Sequence, residues 1–126
     1  MPDDRLKLCE YVVLYHDGID DPHFDLMLER DAGSDLETFR ITRWPIAEPA
    51  AIVPLGDHRR AYLDYQGPVS GNRGTVTRVE KGRCSRAAGD DGAQKLTLYP
   101  THPGCVQRVV GLRRSGNEWI AEAIRG

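Results

Sequence analysis

The chain has 126 residues, of which 40% are hydrophobic, and its formal net charge at pH 7 is −2. This length predicts one domain, residues 1–126, with room for a packed core but not for two domains. The sequence has no apolar run long enough to cross a membrane and no secretory signal at its start, so we expect a soluble, cytoplasmic protein. The cysteines are Cys9, Cys84 and Cys105; their wide spacing favours reduced structural thiols over a disulfide framework or a zinc knuckle.

The small net charge conceals an uneven distribution along the chain. Acidic residues outnumber basic ones within residues 1–37, and basic residues outnumber acidic ones within residues 59–86. An acidic segment suits a cation and a basic segment suits phosphate, although two solvated faces that balance each other would look the same.

Strand signals dominate the chain from end to end, and no segment has the sustained three-and-four spacing of an amphipathic helix. In chain order the predicted strands are residues 11–15, 23–29, 36–43, 60–65, 75–79, 95–99, 106–112 and 118–124. Residues 45–56 contain three prolines and are predicted to form a surface connection, and the polar segment 86–93 is predicted to be mobile. The fold class is therefore all-β and mainly antiparallel: a small closed or partly open barrel, or a sandwich, of seven to eight strands.

The segment 23–29 (HFDLMLE) alternates strictly between apolar and polar side chains, apart from one methionine. Side chains in a strand repeat every two residues, so His23, Asp25 and Met27 share one face. With His16 just upstream, two imidazoles and a carboxylate form a candidate site for Mn²⁺, Zn²⁺ or Fe²⁺. A half-buried strand with a solvated polar face is the alternative.

Two further segments carry candidate chemistry. His58 and Tyr62 would share a face of an extended strand with Arg60 between them, which suits phosphate binding or proton donation to a leaving oxygen. The glycine-rich loop 67–74 contains Arg73 and could receive an anion on its backbone amides, or be only a turn.

In this order the segments resemble the 3′-phosphoesterase domain of bacterial DNA ligase D. That family has a valine-rich strand ending in His-Asp, then a His-aromatic-Asp-x-Arg-Leu-Glu strand, an Asp-His-x-x-x-Tyr segment and a glycine-rich loop. The matching segments here are 11–17 (YVVLYHD), 23–29 (HFDLMLE), 57–62 (DHRRAY) and 64–76 (DYQGPVSGNRGTV). The likeness covers roughly residues 9–82.

The resemblance implies a compact β-barrel that removes a ribonucleotide or a phosphate from DNA 3′ ends during repair by end joining. It places the metal ligands, for manganese above all, on His16, His23 and Asp25. It places the catalytic, phosphate-contacting pair on His58 and Tyr62, and a basic residue on Arg43. It also implies DNA or DNA/RNA 3′ ends as partners, with a ligase or polymerase supplied separately.

One position departs from the family in a way that bears on catalysis. The family's arginine two residues after the metal aspartate, which grips phosphate, is Met27 here, and a thioether cannot replace a guanidinium. Arg43, Arg60 and Arg73 are candidates to supply the charge. Three hypotheses stay open: a 3′-phosphoesterase, a non-catalytic barrel that binds nucleic-acid ends or a partner, and a metal site that serves another phosphate or small ligand.

Overall fold

The computed structural model describes residues 8–124. These residues form strands whose bounds are β1 Leu8–Asp17, β2 His23–Glu29, β3 Leu36–Ile41, β4 Ala50–His58, β5 Gly67–Pro68, β6 Thr75–Ala88, β7 Gln94–Pro100, β8 Arg108–Ser115 and β9 Glu118–Ile124. Two short 3₁₀ helices, Arg60–Leu63 and Asp90–Gly92, lie in the connections.

The strands close into an antiparallel barrel. The order around the sheet is β1-β2-β3-β4-β9-β8-β7-β6, and pairing of β6 with β1 completes the circle. The two-residue strand β5 lies outside the barrel, against the first residues of β6. The predicted all-β class and the closed barrel are thereby confirmed. Within residues 8–124 no helix is both long and apolar enough to span a membrane.

Three predicted elements differ from the structure. Residues 50–56, expected within the surface connection 45–56, belong to β4, which continues to His58. Pro54 is paired with Phe39 of β3 but lies beyond the short pairing of β4 with β9, so β4 has an unpaired edge there, where a strand tolerates proline. Residues 60–63, expected as a strand, form a 3₁₀ helix whose Leu63 is buried. The predicted strand 75–79 continues to Ala88, which takes in the start of the segment expected to be mobile.

Buried apolar side chains form two clusters, one on each side of the β1–β3 wall. The larger cluster draws on all eight barrel strands and fills the interior; it includes Tyr11, Val13, Leu26, Leu28, Phe39, Ile52, Cys84, Leu98, Val110 and Ala121. The smaller cluster contains Val12, Leu14, Met27, Leu36, Leu63 and Val76. Neighbours along β1 alternate between the clusters, so the smaller one lies on the outer face of the wall, covered by the segment that joins β4 to β6.

The cysteines of the described chain are all free thiols. Cys9 and Cys84 are paired across β1 and β6, with their sulfur atoms 3.2 Å apart in the buried interior. Both therefore act as small core side chains, in keeping with the structural role expected for them.

Candidate metal centre

The register of β1 and β2 assembles the candidate ligands. His16 is directly opposite His23, and Leu14 is opposite Asp25, so the two histidines and the carboxylate share the outer face of the wall. One ligand atom from each of the three residues lies within 4.8 Å of the others. The group that the sequence analysis singled out could therefore hold a metal ion.

Backbone carbonyls orient both imidazoles. His16 Nε2 lies 2.6 Å from the carbonyl oxygen of Arg73, and His23 Nδ1 lies 2.8 Å from that of Asp21. A carbonyl oxygen only accepts hydrogen bonds, so the ring nitrogen facing it carries the proton. The other nitrogens, Nδ1 of His16 and Nε2 of His23, then present lone pairs toward Asp25. Ligating histidines in metal sites are typically held in this way.

The atoms that face each other in this group lack hydrogen-bond partners. His23 Nε2 and Asp25 Oδ1 are 3.3 Å apart, buried and unsatisfied. Both are acceptors, so a cation between them, either a proton or a metal ion, would remove the cost of burying them unpaired. The residues therefore fit a divalent cation that accepts nitrogen and oxygen ligands.

Burial sets the electrostatics of the carboxylate. Asp25 is only 4% exposed, and this burial raises the pKa of its carboxyl, against the opposing effect of His23, His58, His16 and Arg40. A negative charge on Asp25 would therefore lack stabilisation by water, and a bound cation would offset that cost.

The ligand group opens into a pocket of about 470 Å³. Its lining residues are His16, Asp25, Met27, Arg40, Leu55, Asp57, His58, Arg59, Tyr62, Val69, Arg73 and Val76. The pocket is open, so a group of a bound molecule could reach the side chains that are candidate metal ligands.

His58 and Tyr62 both line this pocket, as their shared motif predicted, but by a different local geometry. His58 ends β4 and Tyr62 belongs to the following 3₁₀ helix, so a turn and not an extended strand brings them together. Their rings meet edge to face with centroids 5.9 Å apart. His58 Nδ1 lies 2.9 Å from the carbonyl oxygen of Gly56, which accepts a hydrogen bond from its N–H, so Nε2 is the ring atom free to exchange protons.

The arginines predicted to bind phosphate are placed differently from one another. Arg73 lines the pocket, although its guanidinium donates to the carbonyl and hydroxyl of Ser70. Arg60 forms ion pairs with Glu10 and Glu29 and does not line the pocket. Arg43 is exposed and is also absent from the pocket wall.

Arg40 is the pocket residue that the sequence analysis missed. It is paired with Asp25 across β2 and β3, lines the pocket, and has a buried Nε without a hydrogen-bond partner. Arg59, also missed, lines the same pocket. Counting residues outward in both directions from the turn between β2 and β3 would have placed Arg40 beside Asp25, because a hairpin fixes which residues face each other.

Met27 has two surroundings. Its side chain is 1% exposed and packs in the outer apolar cluster, and it also forms part of the pocket wall next to Asp25. Its side chain shapes the pocket wall but carries no charge, whereas the DNA ligase D phosphoesterase domain has an arginine at the matching position.

Comparisons with known proteins add no assignment. No protein-family model matches this chain, and neither does any curated protein. The likeness to the DNA ligase D phosphoesterase domain rests on the order and spacing of the motifs described above.

Proposed function

We propose that this protein is a metal-dependent phosphoesterase acting on 3′-phosphate or 3′-ribonucleotide ends of DNA during break repair in the cytoplasm, at the nucleoid. The observation that carries the proposal is the unsatisfied pair His23 Nε2 and Asp25 Oδ1, of which Asp25 lines a pocket together with three arginines. Unpaired buried ligand atoms call for a cation, and guanidinium groups beside them call for an anion such as phosphate. The motif order supports nucleic-acid 3′ ends as the source of that phosphate.

In this proposal His16, His23 and Asp25 hold a divalent cation, with Mn²⁺ the first candidate. The cation supplies Lewis-acid polarisation of a phosphoryl oxygen when bound. Arg40 neutralises the phosphate and fixes its orientation, because its partner across the sheet is the ligand Asp25 and its Nε lacks any competing acceptor.

His58 and Tyr62 complete the proposed mechanism. In the hydrolysis, water attacks phosphorus, the bond from phosphorus to the leaving oxygen breaks, and the water's proton passes to solvent. His58 would protonate the leaving oxygen, or stabilise charge that develops on the phosphoryl group, through Nε2, the nitrogen that does not donate to the Gly56 carbonyl. The ring of Tyr62 fixes the plane of that imidazole, and its hydroxyl is a hydrogen-bonding group for the phosphate.

A binding function without turnover is the second candidate, and Met27 is the observation that favours it. A buried methionine occupies the place of the family's phosphate-gripping arginine. A site that retains the cation and Arg40 but lacks this second arginine would recognise a phosphorylated DNA end without cleaving it. It could also help to recruit a separate ligase or polymerase.

The test uses a primer–template with a 3′-phosphate and protein that has been stripped with a chelator and reloaded with Mn²⁺. We expect release of inorganic phosphate. The variant His58→Ala should lose about 100-fold or more in rate while keeping its metal, since general acid–base groups contribute about 10²–10⁴-fold. The control His102→Ala alters a histidine outside both pockets near the candidate metal ligands and should act like the wild type.

Each other outcome has a definite meaning. Metal-dependent binding of the 3′-phosphate end without release of phosphate would select the binding function. Equal rates for His58→Ala and the wild type would refute the assigned mechanism, and failure to bind any metal would refute both candidates.

A further inference from the structure

A second pocket adjoins the first. It has a volume of about 260 Å³ and is lined by Arg59, Ala61, Tyr62, Tyr65, Pro68, Val69 and Ser70. Arg59, Tyr62 and Val69 line both pockets, so the two are adjacent. A ligand anchored in the first pocket could extend past these side chains toward the second.

Aromatic rings connect the two pockets. His58, Tyr62 and Tyr65 form a row in which each ring meets the next edge to face, with centroids 5.9 Å apart at both steps. His58 lines the first pocket, Tyr65 lines the second, and Tyr62 lines both. The row therefore leads away from the candidate metal ligands toward the outer surface.

Tyr65 is held in place although its ring is open to solvent. Its side chain is among the large hydrophobic groups that stay exposed, at 38%, while its hydroxyl donates to the carbonyl of Pro68. The hydroxyl is thus satisfied by the backbone, and the ring offers a flat apolar face that ordinary core packing does not use. A fixed, exposed aromatic ring is the usual platform for a nucleobase.

The charge of the second pocket suits the same ligand. Its described lining includes Arg59 and no acidic side chain. A guanidinium beside aromatic rings can stack on a base and also attract the sugar–phosphate chain. Its volume, little more than half that of the first pocket, suits one planar ring system and not a paired or stacked duplex end.

We infer that the second pocket is a binding site for a single nucleobase, that of the nucleoside attached to the phosphate held in the first pocket. The inference rests on the proposed function and goes beyond it, because it makes the terminal nucleoside, unpaired and stacked on Tyr65, a part of what the site recognises. Phosphate alone would then be a weak ligand.

The test compares three ligands of metal-loaded protein by titration calorimetry: inorganic thiophosphate, an abasic deoxyribose 3′-phosphorothioate, and deoxyadenosine 3′-phosphorothioate. Phosphorothioates keep the charged group and slow its hydrolysis. We expect the base to strengthen binding about tenfold over the abasic sugar, in keeping with stacking on one aromatic ring. Tyr65→Ala should remove that gain, and Tyr65→Phe, which keeps the ring, should retain most of it.

The matched control is Tyr99→Ala, since Tyr99 is a part-buried tyrosine on β7 that lines neither pocket. Thermal unfolding of each variant checks that it is folded. If thiophosphate binds but the base adds nothing, or if Tyr65→Ala weakens all three ligands equally, the base site is refuted while the proposed function stands. If none of the three ligands binds, the proposed function fails and the base site fails with it.

Discussion

Two buried carboxylates, on the two strands that flank β1, have opposite surroundings. Glu80, on β6, is 1% exposed and accepts hydrogen bonds from Tyr11 at 2.6 Å, from Trp44 at 3.1 Å and from Arg108 at 2.9 Å. Asp25, on β2, is almost as buried at 4% exposed, yet its Oδ1 has no hydrogen-bond partner. The barrel's own side chains thus donate hydrogen bonds to Glu80, whereas Oδ1 of Asp25 receives none.

The difference separates an acid with a structural role from a candidate metal ligand. Glu80 links β6 to Tyr11 on β1, to Arg108 on β8 and to Trp44 in the connection after β3. Burial and the hydrogen bond to Glu80 raise the pKa of the Tyr11 phenol. Asp25 holds nothing together, since its nearest partners are two histidines whose free nitrogens are also acceptors. A buried group that folding alone would not favour is a marker of a binding site.

The largest effect on stability is expected from removing the charge of Glu80, the carboxylate that is hydrogen-bonded within the barrel. Glu80→Gln leaves the guanidinium of Arg108 without its counter-charge in a mostly buried place, and loss of one partner of such a pair costs about 3–5 kcal/mol. Urea unfolding measures the loss. Glu118→Gln, at an exposed glutamate, should change the free energy of unfolding by less than about 0.5 kcal/mol. Similar losses in both variants would show that the Glu80 network has no special role.

Removing the charge of Asp25 should have the opposite effect on the free energy of unfolding. Asp25→Asn removes a desolvated charge, so in the presence of chelator we expect the variant to be at least as stable as the wild type. Mn²⁺ at about 100 times its dissociation constant should then stabilise the wild type by about 2.7 kcal/mol and the variant hardly at all. Unfolding with and without metal measures both effects. A variant that loses stability in chelator would place Asp25 among the structural acids.

A third buried carboxylate, Glu29, is expected to give the smallest effect and a pH signature. Burial on its own would raise the pKa of Glu29, but hydrogen bonds from the backbone N–H groups of Glu10 and Gly33 and from Arg60 outweigh it and lower the pKa. The stability it contributes is therefore present above the ordinary carboxyl pKa of 4.5 and is lost as the pH falls through the lower, folded-state value.

Glu29→Gln should accordingly cost about 1–2 kcal/mol at pH 7, where hydrogen bonds to the charged group are intact, and progressively less toward pH 3. Urea unfolding across this range measures the difference between variant and wild type. A difference that stays constant with pH would mean that packing, not charge, determines the contribution of Glu29.

The sequence predicted the parts of the site that lie within one strand or hairpin. The alternation in residues 23–29 placed His23 and Asp25 on one face, and the short connection after β1 brought His16 opposite them. Arg40 could not be found by alternation alone, because its place beside Asp25 depends on the pairing of β2 with β3. Pairing between strands is set by turn geometry and burial together, which a single strand's pattern does not contain.

The region between β3 and β6 was harder to predict for a different reason. Its prolines indicated a connection, but Pro54 sits where β4 has an open edge. The alternation of residues 60–65 indicated a strand, but Leu63 is needed to cover the outer apolar cluster, and a tight 3₁₀ turn delivers it there. Tertiary packing overrode local preference at both places.

The carbonyl that orients His16 belongs to Arg73, which is 57 residues further along the chain. Next to it, His16 is paired with Val76 in the β1–β6 seam that closes the barrel. Contacts between residues so far apart in the chain carry a large loop-closure cost. A chain whose seam is still open lacks the carbonyl that orients His16, so the three candidate ligands are held in place only in a closed barrel.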